Sequence, residues 1–130
     1  MSGMTSFAAV SVVTHDMAAA IDFYSCLGLR LASGGPTDDH VEFDGEGVRL
    51  MLDTETLISQ LDPTWRRPTG GHAIALAFQC SAPAEVDALF EALTTLGAKA
   101  KQQPWNAFWG QRYASVLDMD GNQVDLFCPL

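Results

Sequence analysis

The stretch Asp118-Met119-Asp120-Gly121-Asn122-Gln123-Val124-Asp125-Leu126 decides how the chain is read, because it has an earlier counterpart. Asp118 to Gly121 carries tight-turn residues, with a glycine free to take positive φ, and Gln123 to Leu126 alternates polar and apolar as a strand does. Offset by 74 positions, Asp44-Gly45-Glu46-Gly47 offers the same kind of turn ahead of a similar strand. A second correspondence lies in two helical stripes. Met17, Ala20, Ile21, Tyr24 and Leu27 recur at helical spacing behind Asp16, a good capping residue; Val86, Leu89, Phe90, Leu93 and Leu96 repeat them 69 positions later, behind Ser81 and Pro83. Gly28 and Gly97 supply the stops. The chain is therefore one unit written twice.

Working outward, the first unit reads as strands at 7–13, 29–33, 40–44 and 48–53, with a helix from Met17 to Leu27. The second has strands from His72 to Cys80 and at 98–103, 112–118 and 123–128, with its helix ending before Gly97. Both are β-α-β-β-β, and the class is α+β. One domain is expected, with module 1 at about 5–55, a linker at about 56–70 marked by Pro63, Pro68 and Gly70, and module 2 at about 71–130. A single helix covers only one face of a four-stranded sheet. Two modules together predict a curved eight-stranded sheet with helices outside and a concave cup inside, a natural place for a ligand.

The 130 residues, 48% hydrophobic, suit one domain. Seven basic against sixteen acidic residues give a net charge of −9, which argues against nucleic acid and is compatible with a cationic ligand. No run approaches the roughly 20 apolar residues that span a bilayer, and Met1 to Ser6 lacks the basic and apolar regions of a leader, so no membrane association and a cytoplasmic location are expected. Cys26, Cys80 and Cys128 lie far apart and read as core residues.

Alternation separates the two faces of each sheet. Val10, Val12, Leu50, Leu52, Ile74, Leu76, Phe78, Val124 and Leu126 are the helix-side set. Ala9, Ser11, Arg49, Met51, Asp53, Ala75, Ala77, Gln123, Asp125 and Phe127 then face the cup, with Arg49 its basic member, which pairs with Asp53 or Asp125 or binds an anionic group of a ligand. Trp105, Phe108 and Trp109 crowd a connection between strands where small polar residues are usual, and they read as a wall on which a flat ligand stacks. Trp65, in the linker, reads as a cover over the module junction or as part of another wall, and His15 and His40 read as solvated.

The paired modules, the run Ala20-Ile21-Asp22-Phe23-Tyr24 followed by Leu27-Gly28-Leu29, and the closing stretch quoted above resemble the vicinal oxygen chelate superfamily. That superfamily includes glyoxalase I, extradiol dioxygenases and bleomycin resistance proteins. The resemblance covers nearly the whole chain. It implies that a metal, where members use one, is held at positions falling here on Ala9, Met51, Ala75 and Asp125, of which only Asp125 offers a hard ligand. No cofactor is therefore expected and a divalent metal is disfavoured. The resemblance implies a metal-independent small-molecule binding protein, sequestering a planar or cationic compound such as an antibiotic. Ala9, Ser11, Arg49, Met51, Ala75, Trp105, Phe108, Trp109 and Asp125 are the expected ligand contacts. The alternative is a metal-dependent lyase, isomerase or dioxygenase with an altered site, for which Asp125 and His72 are the catalytic candidates. A homodimer is implied in either case.

Overall fold

The computed structural model describes residues 4–130; the first three residues of the Met1–Ser6 stretch lie outside it. The elements run β1 (Ala9–Thr14), α1 (Met17–Ser25), β2 (Arg30–Ser33), β3 (His40–Asp44), β4 (Arg49–Thr54), α2 (Glu55–Leu61), β5 (Ala75–Gln79), α3 (Pro83–Thr95), β6 (Lys99–Ala107), β7 (Gln111–Leu117) and β8 (Gln123–Pro129). The eight strands form two four-stranded sheets of identical topology, β1-β4-β3-β2 and β5-β8-β7-β6. In each, the first and last strands of the module pair in parallel and the remaining pairs are antiparallel. The repeat inferred from the turns and stripes is this shared topology.

Local chemistry sets the helix starts. Asp16 caps α1 by accepting from the Ala19 amide at 3.1 Å, and Gly28 takes φ 78 just beyond the helix. α3 opens on Pro83 without a side-chain cap bond. The linker differs from its sequence reading, because it begins with the helix α2. Thr54 caps it, accepting from the Leu57 amide at 3.1 Å, with Glu55 in the first turn where the helix dipole favours an acid. The prolines and glycines that mark the linker all fall after this helix ends.

Two strand boundaries also differ, and in each case the neighbouring strand is the reason. β5 starts at Ala75 rather than His72 because its parallel partner β8 starts at Gln123, which pairs with Ala75. His72 to Ile74 therefore precede the ladder, and Ile74 is 76% exposed instead of packed beneath a helix. β6 continues to Ala107 through Pro104, which the outermost strand of a sheet tolerates, with register shifts between Ala100 and Trp105. Trp105 thus sits in the ladder opposite Tyr113, and only Phe108, Trp109 and Gly110 make the connection.

The helix-side set otherwise packs as its alternation predicts. Val12, Leu50, Leu52, Val124 and Leu126 are buried, and Val10, Leu76 and Phe78 lie against them in one core shared by both modules. Phe23 and Tyr24 are its largest fully buried side chains. The Tyr24 hydroxyl crosses between modules and donates to Asp118 Oδ2 at 2.6 Å. Burial first, and the Asp118 carboxylate behind it, push the Tyr24 pKa up, so the phenol keeps its proton and remains a donor. Among the described residues, no helix is long and apolar enough to cross a membrane.

Candidate functional site

The sheet faces away from the core carry the polar side chains. On the first, register places Ala9 opposite Arg49 and Ser11 opposite Met51, so these four expected contacts share one face. Asp53 is at the end of that row and is buried. It accepts from Ser11 Oγ at 2.6 Å and contacts His40 Nδ1 at 2.5 Å. The other ring nitrogen of His40 meets Glu42 at 2.8 Å, and Arg49 donates to Glu42 at 3.1 Å. Arg49 is therefore satisfied by Glu42, and neither Asp53 nor Asp125 is its partner. His40, read as solvated, is exposed, and it is also held between two carboxylates.

This arrangement has a definite electrostatic consequence. A neutral imidazole donates through one nitrogen only, so bonds to two carboxylates require the imidazolium. Bonding to Asp53 first and Glu42 second raises the His40 pKa above its ordinary value, and the bond to His40 lowers that of Glu42. Because the folded-state pKa is raised, the stabilisation is fully present below the unfolded-state value near ~6.5 and is lost as pH rises through the folded value. A proton-detected titration of His40 is expected to show its midpoint above that of an unstructured histidine, and Asp53→Asn to bring it down. A midpoint at or below the unstructured value would contradict the pairing.

The second sheet repeats the theme with other residues. Asp125 is buried opposite Ala77 on one side and Ser115 on the other. Its Oδ1 accepts from Ser115 Oγ at 2.7 Å and from Gln123 Nε2 at 2.9 Å, and Gln123 in turn accepts from Lys101 at 2.5 Å. Tyr113, beside Asp125, has its pKa pushed up to about 12, chiefly by burial. At the end of this face the rings of Trp105, Phe108, Trp109 and Tyr113 meet edge to face. Trp109 is the hub, with centroids 5.6 Å from Trp105, 5.0 Å from Phe108 and 5.3 Å from Tyr113. The Trp109 indole donates to Gln111 at 2.7 Å, while the buried indole nitrogen of Trp105 has no partner among the described residues. Phe108 is 90% exposed, with no wall behind its outer side.

The expected site residues thus fall into two groups. Ala9, Ser11, Arg49 and Met51 belong to the first sheet, and Ala75, Trp105, Phe108, Trp109 and Asp125 to the second or to the tip of its β6–β7 hairpin. Among the described residues, no hydrogen bond joins one group to the other. His72 stands apart from Asp125, in the wall of a cavity of about 320 Å³ between the outer strands β1 and β5 that also includes Ser11. Sequence reasoning missed His40, Glu42, Tyr113 and Ser115. The turn at Asp44 to Gly47 held the signal for the first two: counting outward, Asp44 pairs with Arg49, and therefore His40 with Asp53 and Glu42 with Met51.

The sequence matches the family described as the Glyoxalase/Bleomycin resistance protein/Dioxygenase superfamily over residues 6–126. No curated protein matches it. Among solved structures, a glyoxalase/bleomycin resistance protein/dioxygenase from Nocardioides is 26% identical, with 100% of this chain and 87% of that one covered and a TM-score of 0.74. A family enzyme from Burkholderia phytofirmans PsJN is 18% identical, covering 95% and 98%, at a TM-score of 0.82. A glyoxalase-related enzyme from Fulvimarina pelagi is 20% identical, covering 96% and 88%, at 0.81. The last two likenesses bear on the fold alone.

Proposed function

This chain belongs to the glyoxalase/bleomycin resistance protein/dioxygenase superfamily, and from that premise we propose that it is a metal-independent binding protein that sequesters a planar, cationic small molecule on its concave faces. The observation that carries the reading is the second sheet, where the buried Asp125 carboxylate and the Trp105–Trp109–Tyr113 rings share one face. A carboxylate beside ring faces suits a flat cation, which gains from the charge and from the π-system together. The net charge of −9 favours the approach of such a ligand.

The residues at the superfamily's metal positions do not fit a divalent ion. Ala9 and Ala75 have no donor atom, Met51 has a thioether, and one oxygen of Asp125 already accepts two hydrogen bonds. Whichever copy supplies the second module, the four positions carry the same side chains. A homodimer is part of the proposal, supported by the exposed apolar residue Phe7 next to the outer strand β1.

Calorimetric titration with bleomycin-type glycopeptides and flat cationic antibiotics, followed in parallel by tryptophan fluorescence, tests the reading. Binding at micromolar concentration by metal-free protein is expected. Absence of binding at millimolar ligand, or stoichiometric metal retained through purification and lost in Asp125→Ala, would transfer the case to the lyase, isomerase or dioxygenase alternative.

A further inference from the structure

We infer that the seam between the two sheets is a second small-molecule site, bordering the concave faces at Ser11 and Gln123, that takes a compact organic ammonium ion with an aromatic or branched apolar body. The cavity there, about 320 Å³, is of a size usual for small-molecule sites. Val10, Val12, Ile74 and Leu76 give it apolar sides, and Trp65 adds an aromatic wall. Trp65 is presented by an ordered turn. Its amide donates to the Asp62 carbonyl at 3.0 Å, and the Asp62 carboxylate accepts from the Thr64 amide and hydroxyl at 3.0 and 2.6 Å. Of the two sequence readings of Trp65, cover or wall, its place in the lining of this cavity favours the wall.

The charges around the cavity select the ligand. Glu55 and Arg67 pair at 2.6 Å and offset each other. Asp120 does not have such a partner for both oxygens. Only 7% of its side chain is exposed, and Oδ1 takes the His15 amide at 2.9 Å as well as the His15 ring. Oδ2 has no protein donor among the described residues. A largely buried carboxylate with one oxygen lacking a protein donor, on a residue that lines a cavity of mixed apolar and polar sides, favours a cationic hydrogen-bond donor over any neutral or anionic one. Ile74, 76% exposed on the same wall, gives the apolar body of the ligand a surface to cover.

The inference does not depend on the concave-face reading, and the test keeps the two apart by location. Tryptamine and its neutral hydroxyl counterpart tryptophol are titrated into the full-length protein and followed by amide and indole proton–nitrogen spectra. Tryptamine is expected to shift His15, Trp65, Asp120 and Asn122, and to bind at least about tenfold more tightly than tryptophol. Asp120→Asn is expected to remove that preference, and Trp65→Ala to weaken both compounds. Equal binding of the two in the native protein, shifts confined to Trp105–Tyr113, or no binding at millimolar tryptamine would each overturn it. These outcomes are read on the native chain, so a poorly folding variant leaves the test intact.

Discussion

Replacing Asp118 with alanine is expected to remove about 3–5 kcal/mol of folding stability, the range that follows when one buried and three half-buried donors lose one shared acceptor. Oδ1 of Asp118 accepts from the Asp120 and Asn122 amides at 2.9 and 2.8 Å; Oδ2 accepts from the Tyr24 hydroxyl and the Asn122 side chain at 2.6 and 3.0 Å. Tyr24 is fully buried, so its hydroxyl has no water to turn to. For a chain of this size the loss corresponds to a fall in Tm of about 11–18 °C. Tyr24→Phe removes one donor and leaves Asp118 with the other three, so a smaller cost of about 1–2 kcal/mol is expected. Denaturant unfolding of the two single variants and the double variant measures their coupling. Asp118→Ala within about 1 kcal/mol of the native protein would show that the turn stands without its central carboxylate.

That coupling explains why the quoted turn was so informative. Asp118 to Asn122 carries the residue types a tight turn needs, and the same residues fasten α1 of the first module onto the second. Periodicity exposed the helix-side set because each of Leu50, Leu52, Val124 and Leu126 is buried by its own strand's pleat, a local property. The site was less legible because it depends on which strands lie side by side. His40 meets Asp53 across a hairpin, a relation that appears only after the register is counted. The helix α2 was hidden for another reason: Leu57, Ile58 and Leu61 stand at helical spacing, but they span only seven residues and are followed at once by the prolines and glycines that mark a linker. The seam cavity depends on two sheet edges that face each other without hydrogen bonds, and neither strand carries a mark of that approach.

Trp109→Ala is expected to weaken a planar cationic ligand by about 10–50-fold, the loss of one well-placed aromatic contact with its cation–π component. Trp109 is 48% exposed but packs on three rings, so folding stability is expected to fall by about 1–3 kcal/mol, which denaturant unfolding measures separately from affinity. The ring is fixed in place. Trp105, Phe108 and Tyr113 meet it nearly at right angles, and its indole nitrogen is tied to Gln111. A ring held this way loses little rotamer freedom on binding, so the contact contributes most of its value to affinity. Trp109→Phe keeps a ring but drops the Gln111 bond, and partial recovery of affinity is expected. Asp125→Asn removes charge while leaving the Ser115 hydroxyl an oxygen to donate to. If carboxylate and ring act on one ligand, the double variant loses less than the sum of the two singles. Calorimetric titration of the four proteins with one ligand decides it: unchanged affinity in Trp109→Ala removes the ring wall from the site, and unchanged affinity in Asp125→Asn removes the carboxylate.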